Sequence, residues 1–243
     1  MSTGVNLVRY AARFGVRTMQ SAGERLGLTR PPRALNEFAT HIPILIGIAR
    51  ILTIRHVLEL GCGTYSTLTF LNRAAFPDLI RLDSLETDIA WAEKLSAATA
   101  DEPRIRIQVV QDPIESSMWV GRLGEYNLIF VDHAFSYVTR AATISSLAKM
   151  SLGSALVVLH DYEMPQYRTA SRGFPHRFEF AAFTPATAVA WDHAPLSRSP
   201  LRLLARVVRK HASTHAPEDA VFWSDLLNAE LGHVGQQFRR GAA

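Results

Sequence analysis

Five short apolar runs recur between residues 56 and 160, and their spacing limits the chain to few folds. His56–Gly61, Ile80–Glu86, Arg104–Val110, Tyr126–Asp132 and Ala155–His160 are rich in Val, Ile and Leu and read as buried strands. Ser66–Phe76, Asp88–Thr99, a weaker stretch over 114–122 and Tyr137–Met150 separate them with apolar residues at helical spacing. Pro77 is expected to stop the first of these helices, and Thr87 or Asp88 to cap the second. Strict alternation of this kind means βαβ units, in which crossover helices cover both faces of a parallel sheet. Arg177–Phe183 and Thr187–Trp191, joined through Thr184–Pro185–Ala186, add a terminal antiparallel hairpin.

The expected fold is α/β: a Rossmann-like, doubly wound, mostly parallel seven-stranded sheet with N- and C-terminal helices. Residues 34–194 are assigned to the sheet domain, including a helix within Leu35–Leu52 that Pro43 starts or kinks. Residues 1–33 form a basic N-terminal helical extension, with Arg9, Arg13, Arg17, Arg25, Arg30 and Arg33 against Glu24 alone. Residues 195–243 form a C-terminal helical extension. Within it Pro200–His211 sets Arg202, Arg206 and Arg209 against Leu203, Leu204, Val207 and Val208. Such helices either pack on the domain or lie on an anionic membrane surface, so peripheral membrane contact is one expectation. No apolar run approaches the ~20 residues that span a bilayer, and the first 33 residues lack a continuous apolar block. Cys62 is the single cysteine, which excludes an intrachain disulfide. A cytoplasmic protein is expected. A net charge of +4 without a reading motif gives no reason to expect nucleic-acid binding.

The most informative segment is VLELGCGTYST, Val57 to Thr67. Open parallel sheets bind ligands beyond the carboxyl ends of their strands, where strand order reverses. Glu59 and Gly61–Ser66 stand at the end of the first expected strand, Glu86 at the second and Asp112 at the third. Asp132 and His133 follow the fourth, and His160 and Asp161 the fifth. A dinucleotide fingerprint would place a third small residue, glycine or alanine, where Ser66 stands, and a pyrophosphate gains nothing from Glu59. A ligand with an ammonium group does. S-adenosylmethionine has an ammonium, a ribose and an adenine but no phosphate. Gly61 and Gly63 let the backbone approach such a ligand, Glu86 can accept both ribose hydroxyls, and Asp112 can face the adenine amino group.

VLELGCGTYS resembles the first motif of class I S-adenosylmethionine-dependent methyltransferases, and SLETD resembles their second, with Glu86 at the ribose position. LIFVDHAFSY and LVVLHDYE resemble the fourth- and fifth-strand segments of catechol-type and macrocin-type O-methyltransferases. The resemblance covers about residues 40–192 and implies methyl transfer to the oxygen of a small molecule or a sugar. It implies that Glu59, Gly61, Gly63, Thr64, Tyr65 and Ser66 surround the methionine part, and that Asp112, Asp132 and His133 lie on the cofactor side, Asp112 and His133 near adenine.

Methyl transfer is a direct displacement, so the acceptor must be positioned and deprotonated. In catechol-type relatives a divalent metal does this, and Asp132 and Asp161 fall on its ligand positions, which would suit Mg²⁺. The sequence departs from those relatives at Tyr162, where they have Asn or Asp, and at Phe135, where they have a lysine base. The metal-free alternative makes His160 a general base oriented by Asp161 or Asp132. Tyr137, Arg140, Tyr162, Tyr167 and Arg168 are candidates to line the acceptor pocket. The competing readings are an NAD(P)-dependent oxidoreductase and a non-catalytic module that keeps the cofactor fold.

Overall fold

The computed structural model describes residues 35–112, 122–133, 136–194 and 196–241. The expected N-terminal extension, most of the weak helix over 114–122, and Phe135 lie outside the described residues. The seven strands are β1 His56–Leu60, β2 Arg81–Glu86, β3 Ile105–Val109, β4 Leu128–Val131, β5 Leu156–Leu159, β6 His176–Phe180 and β7 Thr187–Trp191. They form one sheet in the order β3-β2-β1-β4-β5-β7-β6. Strands β1 to β5 pair in parallel; β7 runs antiparallel to both β5 and β6. The expected α/β sheet with its terminal hairpin is therefore what the chain forms. Strand order reverses between β1 and β4, which places the ligand crevice at their carboxyl ends.

The helices are α1 Ile42–Ile51, α2 Ser66–Leu71, α3 Ile89–Ala98, α4 Tyr137–Leu147, α5 Pro165–Ala170, α6 Arg198–His211 and α7 Ala220–Gly241. Asp88 caps α3 by accepting from the Trp91 backbone N–H at 3.1 Å. Helix α2 ends well before Pro77. Asn72 turns the backbone extended, and its side-chain oxygen takes the Ala74 N–H at 2.9 Å, a local turn that competes with the next helical bonds. Helix α5 was not expected from the sequence.

Side chains alternate along the central strands between two cores, as the pleat requires. Val57, Phe130 and Val158 face α1, α6 and α7, whereas Leu58, Ile129 and Val157 face α4 and α5. Helix α1 is buried throughout, because α7 crosses it so closely that a Cβ at Gly235 would lie 2.0 Å from the Arg50 carbonyl oxygen. Leu201, Leu204, Val207 and Val208 of α6 are buried in the same core. Of the two expected placements for α6, its apolar face is packed on the domain, and its cationic face is exposed. Among the described residues, no helix is long and apolar enough to cross a membrane.

Candidate active site

The turn after β1 is held by two buried acids. Gly61 has φ +90°, and a Cβ there would lie 2.6 Å from the His133 Cα and 2.7 Å from its nitrogen. Only glycine takes this conformation without strain, and only glycine lets the β1 and β4 ends approach so closely. The space beside Gly61 is thus filled by protein backbone, not by a ligand. Gly63 differs: an added Cβ there meets only the Ser66 hydroxyl, at 3.1 Å. Gly63, with exposed Thr64 and Tyr65, presents the open side of the turn, while Ser66 is buried at the start of α2.

Glu59 lies fully buried beneath the turn. Its Oε2 accepts from Thr67 Oγ1 at 2.8 Å and Ser84 Oγ at 2.5 Å, and Thr67 in turn accepts from the Gly63 N–H. Burial pushes its carboxyl up to about 7, against the pull of the surrounding Ser66, Ser84 and Thr67 hydroxyls. The direct contact with an amino group expected of Glu59 is therefore corrected, since its carboxyl is enclosed and braces the turn from inside. Glu86 is the acid that reaches the crevice. Its Oε2 accepts from the Cys62 N–H at 3.1 Å, and its Oε1 from the Thr87 and Asp88 N–H groups at 2.6 and 3.0 Å. Trp91 closes the frame by donating its indole N–H to the Cys62 carbonyl at 2.7 Å. The Cys62 thiol is buried beside these acids, and burial first, then the two carboxylates, pushes it up and keeps it protonated.

The ends of β4 and β5 form a second cluster. Arg140, from the first turn of α4, places Nη1 2.9 Å from both Asp132 Oδ1 and Asp161 Oδ2. It also donates to the carbonyls of His133 and Asp132, at 2.6 and 3.1 Å. Asp161 sits at φ +56°, a left-handed conformation that aspartate tolerates better than most residues and that turns its carboxylate back toward Arg140. His160 Nδ1 lies 3.2 Å from Asp132 Oδ2, and its Nε2 lies 3.0 Å from Thr40 Oγ1. Burial works against the His160 proton, but the Asp132 carboxylate, seconded by Asp161, outweighs it and raises the imidazole above its ordinary range. Asp132 is held below the usual carboxylate range: burial opposes this, and His160 and Arg140 overcome it. Arg140 and His160 thus face the two carboxylates from opposite sides.

This arrangement corrects two expectations. Asp132 and Asp161 converge, but Arg140 supplies the positive charge between them, so the pair does not fit a magnesium ion. His160 is 3% exposed, with Asp132 beside one ring nitrogen and Thr40 at the other, so it does not face the crevice as a free general base. Asp132 and Asp161 retain the exposure, with side chains 25% and 15% accessible at the crevice. His133 is buried behind Gly61, where burial, seconded by Arg140, lowers its imidazole to about 4 against the pull of Asp112 and Asp132.

Thr40, His41, Thr67 and Ser84 belong to the site and escaped sequence reasoning. Thr40 and His41 are the polar pair before an otherwise apolar helix, IPILIGIARI, and that contrast was the available signal. His41 packs edge-on to His160 with ring centroids 4.8 Å apart, and burial lowers it to about 3. Of the residues proposed to line the acceptor pocket, Tyr162 and Tyr167 are buried, Tyr162 bonding Ser171 at 2.9 Å. Tyr137 packs on Tyr167, and Arg168 pairs with Glu179 on the surface.

No protein-family model matches the chain, and no curated protein matches it. Solved structures with a similar arrangement include spermidine synthase from Thermotoga maritima, at 14% identity over 81% of this chain and 74% of that one, TM-score 0.45. The O-methyltransferase TomG from Streptomyces achromogenes, in complex with SAM, is similar at 16% identity over 74% and 89%, TM-score 0.45. The N-methyltransferase NodS from Bradyrhizobium japonicum WM9 is similar at 12% identity over 64% and 95%, TM-score 0.43. At these identities and scores the likenesses carry no argument about activity, and the fold stands on its own strand order.

Proposed function

We propose that the chain is an S-adenosylmethionine-dependent methyltransferase acting on an oxygen of a small molecule or sugar. The observation that carries this reading is the Glu86 carboxylate locked against the Cys62 N–H at the β1/β4 switch point. An acid fixed there suits a ligand that brings hydroxyl donors, and Ser66 in place of a third glycine or alanine disfavours the pyrophosphate of a dinucleotide. The open side at Gly63, Thr64 and Tyr65, with Glu86 and Asp112, would hold the cofactor; the adenine side is bounded by Asp112 and His133. When bound, S-adenosylmethionine supplies an electrophilic methyl group.

Asp132 and Asp161 stand at the ends of β4 and β5, and their accessible oxygens accept a hydrogen bond from the acceptor hydroxyl. That bond orients the oxygen for attack on the methyl carbon. Arg140 and His160 are positioning residues: they fix both carboxylates, Arg140 from one side and His160, backed by Thr40, from the other. No step requires a metal between the two acids.

Calorimetric titration with S-adenosylhomocysteine and, separately, NADH tests the cofactor. Saturable binding of S-adenosylhomocysteine without NADH binding is expected; the reverse result would remove the proposal.

A further inference from the structure

A second site stands apart from this crevice. Helix α6 sets Arg202, Arg206, Arg209 and Lys210 on one exposed ridge about 12 Å long, at 1.5 Å rise per residue. Between this ridge and the edge strand β6 lies an open groove of about 530 Å³, lined by those four cations with Phe178 and Ala205. No acid lines it, and among the described residues none of the four makes an ion pair or side-chain hydrogen bond. Glu179, the nearest acid in sequence on β6, is instead paired with Arg168. Four such charges along one shallow groove repel one another, and a multivalent anion relieves that repulsion.

We infer that the groove binds a small phosphate-bearing ligand carrying two or more negative charges. Three guanidinium groups suit the paired oxygens of a phosphate, and the lysine adds a point charge beside them. Phe178 and Ala205 give an apolar wall for the organic part, and the volume lies in the range of small-molecule sites. The buried apolar face of α6 leaves nothing to insert into a bilayer, which favours a soluble ligand. The site is separate from the crevice. Phe178 is in register with Val189, Val158, Phe130 and then Glu59, four strand spacings or about 19 Å away.

Inorganic pyrophosphate is the probe, titrated calorimetrically into the full chain at about 150 mM salt, where surface charge is screened beyond about 8 Å. One saturable site is expected, weakened at least tenfold in an Arg202→Gln/Arg206→Gln double variant whose S-adenosylhomocysteine affinity is unchanged. The inference fails if pyrophosphate shows no saturable binding, or if the double variant binds it equally well. It fails too if phosphatidylglycerol vesicles bind the chain while pyrophosphate neither binds nor competes, because the ridge is then a membrane-facing surface. None of these outcomes depends on the methyltransferase reading.

Discussion

The two halves of the crevice are built by opposite means. On the β1–β2 side, acids are spent on backbone: Glu86 receives the Cys62, Thr87 and Asp88 N–H groups, and Glu59 receives Thr67, which holds Gly63. Among the described residues no cation takes part in these bonds. On the β4–β5 side, acids are matched to cations, with Arg140 and His160 clamped by Asp132 and Asp161. The first half is therefore a shaped cradle whose geometry outlasts the loss of one hydrogen bond. The second is a charge-balanced cluster that fails when one member goes.

The largest expected effect tests that difference directly. Arg140→Ala leaves two inward-facing carboxylates with only His160 between them, and breaking a buried pair in this way costs about 3–5 kcal/mol. Urea denaturation of the variant measures the loss. A change under about 1 kcal/mol would show that water, and not Arg140, balances the acids, and the contrast between the halves would collapse.

Next in size is a pH effect confined to the cradle. The Glu59 carboxyl rises from 4.5 to about 7 on folding, so the native state holds a proton that the unfolded chain has released over that window. Stability contributed by this group is complete below pH 4.5 and falls as pH rises toward and past 7, by about 3 kcal/mol in all. Glu59→Gln, which cannot ionise, should match the parent near pH 4.5 and exceed it by up to about 3 kcal/mol at pH 8. The difference between the two denaturation curves isolates Glu59 from His41 and His133, whose lowered values destabilise the fold on the acid side instead. Parallel curves would mean that Glu59 is ionised in its pocket and compensated from outside.

The cradle's outward face is tested by Glu86→Gln. Replacing a charged acceptor with a neutral amide should weaken S-adenosylhomocysteine by about 1–3 kcal/mol, read as affinity by calorimetry. Unchanged affinity would confine Glu86 to holding the turn.

The contrast also explains what was legible in the sequence. The sheet could be read because the five apolar runs and their crossovers obey a period that local chemistry sets. The cradle was readable too, since Glu59, Gly61 and Gly63 lie within five residues and Glu86 ends the next strand. Of the charge cluster only the pairing of His160 with Asp132 was readable. His160 meets Thr40 across 120 residues, and Arg140 reaches Asp161 across 21, contacts that only the assembled sheet creates. Asp132 and Asp161 alone suggested a metal pair, because nothing in their spacing reveals that the first turn of α4 delivers a guanidinium between them. Helix α5, six residues with a single buried side chain, is too short to show a period.

The smallest expected effect falls on Trp91, whose indole N–H supports the turn from outside at Cys62. Trp91→Phe keeps an aromatic ring against the loop and removes one hydrogen bond, leaving the Cys62 carbonyl beside a half-exposed ring where water can replace the donor. The loss should be about 0.5–1.5 kcal/mol in stability, with S-adenosylhomocysteine affinity changed less than about threefold. A cradle held by Gly61, Glu59 and Glu86 together tolerates this, because each of those groups fixes the turn through different atoms. If the single bond proves worth a tenfold loss in affinity, the turn is not self-supporting, and the β1–β2 half is as dependent on individual partners as the cluster opposite.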